Sequence, residues 1–238
     1  MSSKPFYLAL GSYDFNTITQ QASITPASTV PSLSFYRGLL DDSGDTISVG
    51  YYGVKIDSWE LTAEAEEDIV LDIDLAGIGA TVPSAIEKPT LQNLNAFAFH
   101  EVDFRVEGTV YSGFNRLVLS GNNNLEAKYA ANLSYRPLAI REGALEITGR
   151  ITVFDDLDTW NTLVTSRSEY DVEVWLKKSN QTITIYLANV AFGEYGEPLR
   201  GLDEVDVEIP FRARRIGTTP AIKVIEKSTF DTWDDLPY

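Results

Sequence analysis

The sequence predicts an all-β fold, a sandwich or barrel of two antiparallel sheets with one flanking α-helix and long loops, and three observations carry that expectation. Strand-length runs bounded by Gly, Asn, Asp and Pro recur along the whole chain. Residues 58–76 alternate between two chemistries over a strand, a short acidic turn and a second strand, the period of two that a pleated sheet imposes. Only 155–166 sets apolar residues at helical spacing. With 238 residues and 44% hydrophobic content the chain can bury a substantial core as one large domain or two small ones, and it is read as a single domain over 1–238.

In chain order the strand runs are 6–10, 47–56, the hairpin 58–76, 99–106, 114–120, 145–154, 170–177, 182–190 and 205–212. The hairpin puts Trp59, Leu61, Ala63, Ala65, Ile69, Leu71, Ile73 and Leu75 on one face, and Glu60, Thr62, Glu64, Asp68, Val70, Asp72 and Asp74 on the other. The first face is core. The second is either a solvated sheet surface or the lining of something that must not hold a polyanion. A fainter echo of the same pattern runs through 117–121 and 145–154. In the helical segment Asp155, Asp156 and Asp158 supply capping and dipole-favoured acid ahead of Leu157, Trp160, Leu163 and Val164. Three stretches interrupt the strand pattern: 37–45 with its DDSGD tip, 79–95 with Pro83 and Pro89, and 122–143. Loops of that length are either mobile or engaged in binding other chains. The segment 218–238, with Phe230, Trp233 and Tyr238 among acids, reads as an arm that docks elsewhere or as a C-terminal strand of its own domain.

Charge excludes one large class of function. Lys and Arg number 19 against 35 Asp and Glu, a formal net charge of -16, which opposes the counterion release on which general affinity for phosphate backbones rests. The acid excess also suits a high-salt host. Cysteine is absent, so disulfides, thiolate metal sites and Cys nucleophiles are excluded. The start MSSKPFYLALGSYDF has neither the basic opening nor the apolar run of a signal peptide, and no stretch reaches membrane-span length, so the expectation is a soluble chain made in the cytoplasm.

Catalytic chemistry finds little to build on. His100 is the single histidine, and it shares strand parity with Val102, Phe104 and Val106, the pattern of a packed neutral imidazole rather than a base. Asp41, Asp42 and Asp45 at the DDSGD tip lack the spacing and terminal Glu of a calcium loop and read as a solvated turn. Gly77 and Gly79 follow a strand without the Lys-bearing helix of a phosphate-cradling loop. Asn132 and Asn180 sit in sequons that carry no meaning in an unsecreted chain. Neither enzyme activity nor a cofactor or metal is expected.

The segment 53–77, GVKIDSWELTAEAEEDIVLDIDLAG, resembles the signature of phage tail tube proteins, in which a Gly-led strand enters a Ser-x-x-Leu strand paired with an alternating one that ends in Gly. The second half is similar too: FNRLVLSGNNN over 114–124, then Tyr135, Arg136 and Pro137, a TGRIT strand within 140–154 and a helix opening at Asp155 to Trp160. The likeness covers about 45–215. It implies a β-sandwich or barrel subunit with one flanking helix that self-assembles into hexameric rings, each subunit giving four strands to a continuous inner barrel. The stacked rings would form the hollow tail of a long-tailed virus. Its partners would be copies of itself, a tape measure protein, and tail terminator and baseplate proteins, while double-stranded DNA passes through the lumen without specific binding.

Under that resemblance Glu60, Glu64, Asp72 and Asp74 would line the lumen. An extended loop of about 36–52 would join ring to ring through Tyr36, Arg37, Leu39, Leu40, Tyr51 and Tyr52. A related ring or tube component, such as a tail terminator or an injection-system tube, and a carbohydrate-binding sandwich are the competing readings.

Overall fold

The computed structural model describes residues 3–16, 18–40, 46–81, 96–131, 136–154, 157–178, 181–193 and 206–228. In chain order they form α1 (Lys4–Leu10), β1 (Gly11–Asn16), β2 (Gln21–Pro26), β3 (Leu33–Leu40), β4 (Thr46–Glu64), β5 (Val70–Ala76), β6 (Gly79–Thr81), β7 (Val102–Val106) and β8 (Thr109–Tyr111). There follow β9 (Phe114–Asn122), β10 (Glu126–Lys128), β11 (Ala139–Arg141), β12 (Glu146–Val153), α2 (Leu157–Ser166), β13 (Glu169–Lys178), β14 (Gln181–Phe192), β15 (Val207–Ala213) and β16 (Ile222–Ser228).

Fourteen strands form one antiparallel hydrogen-bonded network that folds into two layers. The first layer runs β5-β4-β9-β12-β15 and the second β8-β7-β13-β14-β16-β2-β1. They join at a corner: β14 pairs with β13 and β16 along most of its length, but its last residues, Ala191 and Phe192, pair with Arg212 and Phe211 of β15. A bulge at Tyr170/Val172 and the positive φ of Asn189 bend the ribbon there. One contiguous core lies between the layers, with Trp59, Leu61, Leu117, Leu119, Ile147 and Ile151 from the first and Phe104, Val174, Leu176, Ile183, Ile185 and Val224 from the second. The Phe104 and Phe211 rings, 6.4 Å apart, meet across it.

The expected hairpin is present, with Glu60 opposite Asp72, Trp59 opposite Ile73 and Ser58 opposite Asp74. Its first strand, however, continues the run 47–56: β4 is one strand of 19 residues, carried past the expected break by a bulge between Ile56 and Ser58. Leu75 is exposed because it lies near the end of β5, which among the described residues pairs with β4 alone. The helix falls at Leu157–Ser166 and buries Trp160, Leu163 and Val164; Asp155 and Asp156 lie outside the described residues. Trp160 packs on Phe104 and Tyr111.

The run 6–10, expected as a strand, is helical instead. Pro5 opens the helix, Phe6, Ala9 and Leu10 turn inward at a spacing of three and four, and Gly11 closes it at φ +99°. A Cβ at Gly11 would lie 2.5 Å from the Thr29 carbonyl oxygen, so no larger residue fits that stop. α1 stands over Trp59, with the Phe6 ring edge-on at 5.2 Å. Buried polar groups of both layers pin it. Glu226 of β16 accepts from the Ser3 N–H at 3.0 Å, from the Ser3 hydroxyl and from the Gln181 amide, while Asn123 after β9 donates to the Ala9 and Ile56 carbonyls at 2.9 Å.

Further differences concern the loops and the start of a strand. Residues 37–40 belong to β3, and 79–81 form β6, which pairs with β4 at Tyr51 and Tyr52. The stretch 122–143 contains a small two-stranded sheet, β10 with β11. Residues 99–101 form a 3-10 turn in which His100 is exposed, not packed in a strand as its parity suggested. Within 218–238, residues 222–228 form a strand of the chain's own second layer, between β2 and β14; Phe230, Trp233 and Tyr238 lie outside the described residues.

Candidate functional site

Strand register assembles the outward surface of the first layer in rows. One row reads Asp72, Glu60, Ser120, Thr148, Arg212 across β5, β4, β9, β12 and β15. Beside it lies Asp74, Ser58, Asn122, Glu146. On the other side lie Val70, Thr62, Val118, Arg150, Pro210 and then Glu64, Arg116, Thr152, Glu208. All four expected lumen acids therefore share one face. The row beneath them holds Ile73, Trp59, Gly121, Ile147 and Ala213 inward. A Cβ at Gly121 would stand 2.4 Å from the Trp59 indole, so only glycine lets that ring lie flat under the sheet.

The charges of this face are graded. Three acids are neutralised: Glu64 of β4 with Arg116 at 3.3 Å, Glu146 of β12 with Arg212 at 3.0 Å and Glu208 of β15 with Arg150 at 3.9 Å. Glu60 of β4 and the two acids of β5 are not. Glu60 accepts from the Ser120 hydroxyl at 3.0 Å and Asp74 from the Ser58 hydroxyl at 2.8 Å, and among the described residues no cation stands within ion-pair distance of Glu60, Asp72 or Asp74. Ser58, Ser120 and Gly121 leave a shallow depression of about 440 Å³ between these acids. The arginines were not foreseen in this role, since each lies on a different strand and only register brings it to its carboxylate.

The second candidate surface is a ribbon built from β3, the first part of β4 and β6. Phe35 faces Tyr51 at 6.1 Å between ring centroids, Tyr36 lies over Gly50, and Tyr52 lies over Gly79. Phe35, Tyr36 and Tyr52 are exposed, Tyr36 to 54%, and Arg37 is exposed beside them. Such a run of uncovered aromatics is unusual on a free surface. Leu39 and Leu40 pair with Ile47 and Thr46 through their backbones; their side chains, and the tip with Asp41, Asp42 and Asp45, lie outside the described residues. Arg136 donates to the Tyr52 hydroxyl at 2.8 Å, so the 122–143 stretch braces the base of the ribbon.

A second brace is Lys55 with Glu142 at 2.5 Å. Burial alone would raise the Glu142 carboxyl, but the hydrogen bonds from Lys55 and from backbone N–H groups, Val30 included, outweigh it and hold the group below its ordinary range.

Among the described residues no group of three or more His, Cys, Asp or Glu side chains could hold a metal ion, and no helix is long and apolar enough to cross a membrane. Comparison with curated proteins yields no match. A family model described as phage tail tube protein matches residues 5–213, a span that starts within α1, takes in the first layer, α2 and every strand of the second layer except β16, and ends at the last residue of β15. The chain accordingly belongs to the phage tail tube protein family and is a structural component of a virion tail.

Proposed function

We propose that this chain is the repeating subunit of the tube itself: copies close into hexameric rings, the rings stack, and the outward face of the first layer lines a channel that duplex DNA crosses during ejection. The observation that carries this reading is the placement of Glu60, Glu64, Asp72 and Asp74 on one face of the layer whose outer strand, β5, pairs on one side only among the described residues. An open edge is a template for pairing with another chain, and ring closure removes it. Barrel diameter grows with strand number, and about 16–18 strands make only a porin-sized channel, so one copy is too small to enclose duplex DNA and several in a ring are needed. Heterologous contacts around the ring close on themselves, while a different surface must stack the rings into an open filament. The aromatic ribbon of β3, β4 and β6 supplies that second surface.

An acidic lining serves passage rather than capture. DNA carries one charge per about 1.7 Å and is held by basic surfaces through counterion release; carboxylates repel it over a screening length of about 8 Å, which suffices in a close-fitting bore. Tape measure, terminator and baseplate proteins would contact the tube in the intact tail.

Electron microscopy of the purified chain tests the assembly, with hollow filaments of six-fold rings expected. Single rings that never stack would assign the chain to a terminator-like role, and monomers at all concentrations would sink the tube reading. Combined Glu60→Gln, Glu64→Gln, Asp72→Asn and Asp74→Asn substitution should preserve or improve assembly and alter DNA release. Loss of ring formation in that variant would place the lumen on another surface.

A further inference from the structure

The outward face of the second layer carries a patch that the tube reading does not use. Its rows are Arg105, Glu173, Tyr186, Lys223, then Asp103, Trp175, Thr184, Ile225, then Lys177, Thr182, Lys227. Trp175, half-buried, has two cations over its ring, the Arg105 guanidinium at 4.6 Å and the Lys177 ammonium at 4.5 Å. Asp103 fixes both, at 3.3 and 2.5 Å, and the indole N–H donates to Glu173 at 2.6 Å. The ring is thus set in place before anything binds. Lys223 and Lys227 have no carboxylate within ion-pair distance among the described residues, in a chain with 35 acids against 19 bases. An aromatic and aliphatic centre with a cationic rim is the composition of a recognition surface, and its complement is an acidic segment bearing aromatics.

This chain contains such a segment next to the patch. β16 ends at Ser228, opposite Gln181 and adjacent to Lys227, and from there the sequence continues as TFDTWDDLPY over 229–238, outside the described residues. Asp231, Asp234 and Asp235 alternate there with Phe230, Trp233 and Tyr238. Ten residues reach about 33 Å when extended, and Trp175 lies two strands from β16, about 10 Å away. We propose that residues 229–238 dock on the outward face of the second layer of their own chain, with aspartates against Lys223 and Lys227 and aromatics against Trp175. Attachment at Ser228 makes the encounter intramolecular, so weak pairwise contacts suffice.

Hydrogen exchange read by mass spectrometry on the full chain, at two protein concentrations below the onset of assembly, tests this. Amides of 229–238 should exchange at least about tenfold slower than coil rates at both concentrations. That protection should vanish in Lys223→Glu/Lys227→Glu and weaken in high salt, while β9 and β12 stay protected, showing that the fold is intact. Coil-rate exchange in the parent chain would overturn the proposal. So would protection that rises with protein concentration, which would put the segment on a neighbouring copy.

Discussion

The two outward faces of this molecule are built from similar antiparallel strands, yet their charges are handled in opposite ways. On the first layer Glu60 and Asp74 are held by hydroxyls, and among the described residues no cation pairs with them or with Asp72, so their charge stays unneutralised. On the second, Asp103 is shared by Lys177 and Arg105, and both cations lie over Trp175, so charge is locked into a local structure. The difference teaches that net charge is a poor guide to a surface. Among the described residues, a chain of charge -16 concentrates acid without a cation partner at one edge of one sheet and lysine without a carboxylate partner on the other sheet. Both faces depend on the core between them, which is where the contrast is most easily broken.

Trp59→Ala should have the largest effect. The indole is 3% exposed, packs against Phe6 of α1 and lies under Gly121, so its removal leaves a cavity at the junction of α1 and the first layer. A loss of about 3–5 kcal/mol is expected in urea unfolding. Gly121→Ala probes the same contact from the other side by forcing a methyl into the ring, and should cost about 1–3 kcal/mol. A near-neutral Gly121→Ala would mean that the indole has room to move, and that the acidic row above it is not rigidly placed.

Charge variants sharpen the contrast within the first face. Asp72→Asn removes one negative charge, whereas Glu64→Gln also releases Arg116 from its 3.3 Å partner and leaves a free guanidinium on the face proposed to line the channel. Assembled Glu64→Gln tubes should therefore retain duplex DNA more strongly than Asp72→Asn tubes, with a salt dependence of binding steeper by about one unit for each new phosphate contact. Arg116→Gln should do the reverse. Equal retention by the two acid variants would indicate that Arg116 faces away from the DNA path.

Much of this architecture was legible in the sequence, and what was missed has physical reasons. Long alternating runs such as 58–76 and 170–177 specify both a strand and its buried face, and four turns' worth of apolar spacing is not needed to recognise α2 once Trp160, Leu163 and Val164 follow an acidic start. α1 was missed because five residues are too few to separate a period of 3.6 from one of 2; Pro5 and Gly11, the start and stop signals, carried the information. β1 and β2 were missed because both are short and polar, while β16 was left open between a strand and an arm because its segment has the composition of both. The candidate face was half visible. Acids two apart on one strand announce themselves, but Arg116, Arg150 and Arg212 reach their partners only through the register of separate strands, for which a single sequence has no signal.

The smallest expected effect tests the locked face by pH. The hydrogen bond from Lys177 holds the Asp103 carboxyl below the ordinary aspartate range, with burial opposing and Arg105 adding to the depression. Because the folded value lies below the unfolded one, the network contributes stability that is fully present above the unfolded aspartate pKa and is lost as pH falls through the folded value. Asp103→Asn should then be less stable than the parent chain at neutral pH by a margin that narrows only below the ordinary aspartate range. Trp175 should change its fluorescence over the same interval, since neutral Asp103 no longer fixes the two cations over the ring. The side chain is about one-third exposed, so the margin belongs with surface networks rather than buried pairs. A margin that closes well above the aspartate range would show that Asp103 is not depressed, and would leave the second face no more ordered than the first.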